Sequence, residues 1–252
     1  MPALTTLCLE EVPELIGIFP QQCGPTTMEK SIWMEVTTTF DQLHNQSLPQ
    51  SLQVFLNWER LSIEDIKGRF EGIFEIKVAN NGNLIKEQAP LKLKLNSLSL
   101  VGFPELEFIW KGPTQILSLH RLHQLYIRNC SKLKTIFAPT IVTNLPELRE
   151  LHVEECNELE RIISADSDSS LTNLSAPSSR INAFCFSKHF SISIWNCNKL
   201  KCLFSYSLAS HCPSLTELRI KDCSELERVV DGFKDKDVEE SGEQEDCHCF
   251  LN

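Results

Sequence analysis

The chain has 252 residues, 42% of them apolar and 23% charged, with a net charge of −10 and a pI near 5.2. This composition excludes a wholly disordered chain, a collagen and a coiled coil, and the acidic balance argues against generic binding to a nucleic-acid backbone. No stretch approaches the roughly 18 consecutive apolar residues of a membrane span. The opening MPALTTLCLEEVPELIG carries three glutamates and no basic segment, so no secretory leader and a cytoplasmic chain are expected.

A repeated unit runs along the chain. Its form is L-x-x-L-x-[LIV]-x-x-[Cys or apolar]-x-x-L-x-x-[apolar]-[apolar]. The first copy is centred on Val12, behind Leu4, Leu7 and Leu9 and ahead of Leu15, Ile18 and Phe19. Residues 20–90 fit poorly. Leu61 and Ile63 stand at the correct offsets before Ile66, which lies 54 residues, or two periods of 27, after Val12. A degenerate copy is therefore sought between them, and MEVTTTFDQL, through Met34 and Val36, is the candidate. Asn80-Asn81-Gly82-Asn83 reads as a turn. The alternating segments at 74–78 and 91–95 flank it and read as strands.

From residue 91 the unit is regular. Phe103 holds the ninth position of one copy, and Cys130, Cys156, Cys197 and Cys223 hold it in the next four. The spacing is 27 from Phe103 to Cys130, then 26, then 41, then 26. The 41-residue gap is one period of 26 plus 15, and the excess lies in the segment SADSDSSLTNLSAPSSR at 164–180, whose seven serines mark a flexible insertion. Residues 231–252 hold eight acids against two lysines and read as a disordered acidic tail. Neither terminus shows a capping repeat, so the chain reads as a piece of a longer array.

A period of this length with leucines in these places is a leucine-rich repeat. One unit cannot bury its leucines alone. Stacked units form one core, worth roughly 1.5–3 kcal/mol per fully buried leucine. The expected fold is an α/β solenoid over 1–230: a horseshoe with a parallel β-sheet on its concave face and a mostly irregular or short-helical convex side. A small apolar side chain with a weak S–H donor suits the ninth position, where the chain leaves the strand. The eleven cysteines are an odd number, and reduced structural thiols are expected.

The segments LPELRELHVEECNELERIISADSD, FSISIWNCNKLKCLFSYSLASHCPSLTELRIKDCSELERVVD and LVGFPELEFIWKGP resemble the leucine-rich-repeat region of plant intracellular disease resistance proteins of the coiled-coil, nucleotide-binding type. The resemblance covers 91–232 well and 1–20 fairly. It implies a protein-recognition surface that detects a pathogen effector or a guarded host protein and restrains a nucleotide-binding switch domain. That switch is missing from this sequence: no G-x-x-x-x-G-K-[ST] occurs.

Catalytic signatures are equally missing. G-x-G-x-x-G, G-x-S-x-G and H-E-x-x-H do not occur, so neither an enzyme nor a cofactor is expected. His120 and His123 read as surface histidines. Cys247-His248-Cys249 lacks a fourth zinc ligand, and Cys249-Phe250-Leu251-Asn252 is a poor prenylation box. Binding is expected instead on the outward positions of the strands. One outward column reads Ser99, Tyr126, His152, Ser193, Arg219. The next reads Val101, Arg128, Glu154, Trp195, Lys221. Exposed Trp, Tyr and Arg are the usual anchors of protein interfaces. The candidate protein-binding residues are therefore Tyr126, Arg128, His152, Glu154, Ser193, Trp195, Arg219 and Lys221. Ion pairing between repeats, such as Arg128 with Glu154, is the bland alternative. Two other readings stand beside receptor recognition. One is a substrate adaptor of a ubiquitin ligase, which requires regular helices after each cysteine. The other is a truncated, non-functional gene product.

Overall fold

The computed structural model describes residues 6–10, 31–39, 48, 50–66, 69–79, 91–112, 117–138, 141, 145–163, 189–205 and 215–231. Seven strands form one parallel front sheet: β1 (Thr6–Glu10), β3 (Arg60–Glu64), β6 (Ser97–Val101), β9 (Gln124–Arg128), β11 (Glu150–Glu154), β13 (Phe190–Trp195) and β15 (Leu215–Lys221). Each carries the L-x-[LIV] core of one repeat, with Ile192 in the leucine's place in β13. Register is kept across the sheet, with Leu7 opposite Leu61, Leu61 opposite Leu98, and so on to Ile192 opposite Leu218. Side chains alternate faces along a strand, so this register gathers the apolar pairs on one side. Leu98, Leu100, Ile127, Val153 and Ile194 are fully buried there.

Behind the front sheet lies a second row of parallel strands. β2 (Ser31–Thr39), β4 (Phe70–Ala79) and β7 (Phe108–Lys111) form one sheet. β10 (Thr135–Phe137) pairs with β12 (Arg161–Ile163), and β14 (Cys202–Ser205) with β16 (Arg228–Asp231). β5 (Leu91–Lys92) and β8 (Leu117–Ser118) make a short further pair. The second side, expected to be mostly irregular or short-helical, also carries short parallel strands among the described residues. The residues there are β-branched and aromatic, as in Thr135-Ile136-Phe137, and they favour an extended chain over a helix.

One helix of more than a single turn is described, α1 (Gln50–Asn57). It buries Leu52 and Phe55, and Trp58 follows it into the core. Phe55 stacks on Phe74 at 4.7 Å, and Phe74 on Trp110 at 4.5 Å. Sequence reading did not anticipate this helix or its aromatic stack.

The irregular region resolves differently from the expectation of two periods. β1 and β3 are direct neighbours in the front sheet, so the 54 residues from Val12 to Ile66 hold no intervening front strand. Met34 and Val36 lie in β2, opposite Phe74 and Ile76 of β4 in the second row. Alternation marks a strand but does not say which sheet receives it. Leu61 and Ile63 do lead a true repeat, in β3. The strand-like segment 74–78 lies within β4, and Leu91-Lys92 is β5. They pair with different partners rather than with each other, and residues 80–83 lie outside the described residues. The Ser-rich segment and residues 232–252 also lie outside them. β11 and β13 are nonetheless adjacent, so the insertion leaves the sheet unbroken.

Each front strand from β3 onward ends in the same turn. Asp65, Gly102, Asn129, Glu155, Asn196 and Asp222 all take positive φ, between 49° and 76°. Each precedes the ninth position. From Asp65 to Asn196, each N–H in this series donates to the last residue of the next strand, as Asn129 does to the Glu154 carbonyl at 2.9 Å. Left-handed backbone costs an L-residue about 1–2 kcal/mol, and Asn and Asp bear it better than most. At Gly102 an added Cβ would meet the Asp65 carboxylate. Gly102→Ala is thus expected to lower stability by about 1 kcal/mol or more, whereas Asn129→Gly changes it by only a few tenths, roughly. Urea unfolding of both variants checks this contrast.

Candidate functional site

The thiols come first, because they close each strand. Cys130, Cys156 and Cys197 are fully buried and Cys223 half-buried, all as free cysteines. Each Sγ–H donates to the carbonyl two residues back, at 3.4–3.5 Å: Cys130 to Arg128, Cys156 to Glu154, Cys197 to Trp195 and Cys223 to Lys221. The thiols also neighbour one another down the stack. Hydrogen bonding to Cys130 and burial push the Cys156 thiol well above its ordinary range, and bonding to Cys156 and burial do the same to Cys197. Burial raises Cys223. Nucleophilic chemistry requires a thiolate, so these groups suit packing.

Two predictions follow from this column. Iodoacetamide should label exposed Cys8 in the native chain and spare Cys130, Cys156 and Cys197 until denaturant is added, as read by peptide mass spectrometry. The raised folded-state values also set the sign of a pH effect. The stability they carry is complete below the ordinary thiol value of 9.0 and declines as pH rises above it. Urea titrations at a series of alkaline pH values should show that decline, shallower in Cys156→Ala/Cys197→Ala.

The outward face of the front sheet is built from the opposite alternation. Strand register sets Tyr126 beside His152 and His152 beside Ser193. It sets Arg128 beside Glu154 and Glu154 beside Trp195. The Tyr126 and His152 rings stack at 4.8 Å and 9°, and His152 meets Trp195 edge-on at 4.8 Å and 85°. Glu154 holds the centre. Its Oε2 accepts from the Tyr126 hydroxyl at 3.4 Å and lies 3.6 Å from Arg128 Nε and 3.8 Å from His152 Nε2. Arg128 Nε also reaches Glu155 at 3.3 Å. Burial, then the Glu154 charge, raises the Tyr126 hydroxyl above its usual value. The Glu155 hydrogen bond and the Glu154 charge raise Arg128.

Five of the eight candidate residues thus form one contiguous cluster: Tyr126, Arg128, His152, Glu154 and Trp195. Ser193 lies beside it, opposite His152 and Arg219. Arg219 and Lys221 are on the next strand and turn to their own neighbours, Glu217 at 2.6 Å and Asp222 at 3.8 Å. The expected Arg128–Glu154 ion pair is present. Glu155, which follows the second column, shares that arginine. Its left-handed backbone swings it toward Arg128, which no spacing announces. His120 Nδ1 lies 3.4 Å from Ser118 Oγ. No group of three His, Cys, Asp or Glu that could hold a metal occurs among the described residues, and no helix among them is long and apolar enough to cross a membrane.

The family model for the leucine-rich repeats of plant disease resistance proteins, RPS2-like, matches residues 30–157, just over half of the chain. The chain belongs to that family. No curated protein and no solved structure matches it. The match begins at β2 and ends after Cys156, so the poorly patterned stretch from residue 30 to residue 90 is part of the leucine-rich-repeat region of this resistance-type chain. Modules of this kind generally mediate protein interactions.

Proposed function

We propose that this chain is a non-catalytic, cytoplasmic recognition module of a plant immune receptor. It forms a solenoid whose front sheet is concave, and it binds a pathogen effector or a guarded host protein there. Within a longer receptor it would also restrain a nucleotide-binding switch domain. The observation that carries this reading is the Tyr126–His152–Trp195 cluster on the outward face of an in-register sheet. Aromatic rings there supply contact area at low entropic cost, since the neighbouring repeats already hold them in place. Glu154 and Arg128 add a charged pair whose orientation selects among partners. The family supports a resistance-related role. The strands after Cys130 and Cys156 favour it over the ubiquitin-ligase adaptor, which calls for regular helices at those places.

Immobilised chain incubated with infected-leaf extract tests the assignment. Proteins retained by the unsubstituted chain should be lost, or weakened roughly tenfold or more, by Trp195→Ala and by Tyr126→Ala. Lys132→Ala, away from the cluster, should retain them. Both aromatic variants should keep the parent's circular dichroism, because each side chain is only half-buried. Retention unchanged in both variants would remove the front face from the reading.

A further inference from the structure

The rings on the front sheet form a stack two layers deep, and its two ends differ. Tyr126 and His152 lie parallel at 4.8 Å, which is the spacing of neighbouring strands, about 4.7–4.9 Å. Each ring therefore stands above its own strand, and the register shows what lies at either end. Beyond His152 the neighbour is Ser193. Trp195, two residues further along that strand on the same face, leans back to meet His152 edge-on, so this end is occupied. Beyond Tyr126 the neighbour is Ser99, and beyond Ser99 it is Ser62. A serine side chain is too short to cover a ring. Among the described residues no second ring meets Tyr126, so its outer face looks across a shelf floored by these two serines.

Charge around the shelf is one-sided. From β3 to β11 the outward positions and their turns hold five carboxylates, Glu64, Asp65, Glu150, Glu154 and Glu155, against two arginines, Arg60 and Arg128. Five against two leaves a surplus of three negative charges. Arg128 is already held between Glu154 at 3.6 Å and Glu155 at 3.3 Å. Among the described residues, Glu64 accepts from the Ser62 hydroxyl and Glu150 from the Gln124 amide, both at 2.9 Å, and neither has a basic partner. The Asp65 carboxylate lies against Gly102, at the end of the Ser99 strand, also without a basic partner among them. On β15, by contrast, the charges are matched, Glu217 with Arg219 and Asp222 with Lys221. The unanswered negative charge is thus gathered on the side of the sheet where the ring stack is open.

We propose that this shelf receives an arginine side chain of the protein partner, its guanidinium lying over Ser99 against the open face of Tyr126. The group is planar and cationic, so it stacks as a third layer and offsets the surplus charge at once. Its N–H donors suit the Ser99 and Ser62 hydroxyls beneath it and the Glu64 and Asp65 carboxylates beside it. Two other occupants match less well. A lysine ammonium offsets the charge but has no plane to stack. A neutral aromatic ring stacks but leaves the carboxylates as they were. The inference rests on the front-face reading and narrows it to the chemistry of one contact.

Two labelled peptides, GRGRGRG and GKGKGKG, are titrated with the full chain at one fixed ionic strength and read by fluorescence anisotropy. The arginine peptide should bind about fivefold tighter or more. Tyr126→Leu, which removes the ring and keeps the bulk, should erase that preference. Tyr126→Phe, which keeps the ring and loses the hydroxyl, should preserve it. Glu64→Gln/Asp65→Asn should weaken both peptides alike, by roughly threefold or more; asparagine bears the left-handed turn at position 65 as aspartate does. Circular dichroism verifies the fold of each variant. Equal binding of the two peptides, binding of neither, or a preference that survives Tyr126→Leu overturns the proposal. If leaf proteins are lost in Tyr126→Ala while the two peptides bind alike, the front-face reading stands and this one falls. Leaf proteins retained unchanged by Trp195→Ala and Tyr126→Ala remove the front-face reading and this one with it, whichever peptide binds.

Discussion

The structure depends on lateral pairing between short parallel strands. A five-residue strand such as Glu150–Glu154 offers two apolar side chains to one face and cannot remove them from water alone. Stacked in register with its neighbours, it contributes Leu151 and Val153 to a continuous buried column. The same pairing fixes the opposite face. Because side chains alternate with a period of two, a slip of one residue would turn His152 inward and the leucines outward. The character of the exposed surface is therefore a consequence of core packing. Tyr126, His152 and Trp195 touch because the residues beside them are buried.

The turn that ends each strand is the second recurrent solution. A left-handed residue carries the ladder one step further, and a compact apolar group then fills the space beneath. Cysteine does this at Cys130, Cys156 and Cys197 while its S–H meets a carbonyl two residues back. Phe103 and Ile66 occupy the same position without any such donor, and both are buried. Filling the volume is thus the shared requirement, and the S–H contact is an addition made where the residue is cysteine.

Irregularity is confined to the chain between front strands. The serine-rich insertion separates β11 from β13, and a far longer segment separates β1 from β3, yet both pairs are neighbours. Loop closure grows costly only slowly with length, so extra residues are tolerated wherever the front register survives. The β1–β3 segment contributes material of its own. Its helix α1 brings Phe55, which stacks on Phe74 of β4, itself stacked on Trp110 of β7. Glu75 of β4, the one buried charged side chain among the described residues, lies between Lys77 and Lys111 at 3.4 and 3.3 Å.

The repeat, its period, the ninth-position cysteine and the two outward columns were legible in the amino-acid order, because a one-dimensional stack maps sequence spacing directly onto neighbours in space. Columns of the front sheet read from the spacing match the strand register residue by residue. The pairing of Lys132 with Glu105 on the neighbouring repeat was not among those readings, because it depends on how the stacked repeats align. Other features had no such signal. Whether a strand joins the front or the second row depends on which surface receives it, so Met34 and Val36 could pass for a repeat core. The centring of Glu154 among Tyr126, Arg128 and His152 depends on side-chain reach across strands. The turn of Glu155 toward Arg128 depends on a backbone angle. Local order prescribes which residues face the core; only the folded stack decides which of the remaining ones meet.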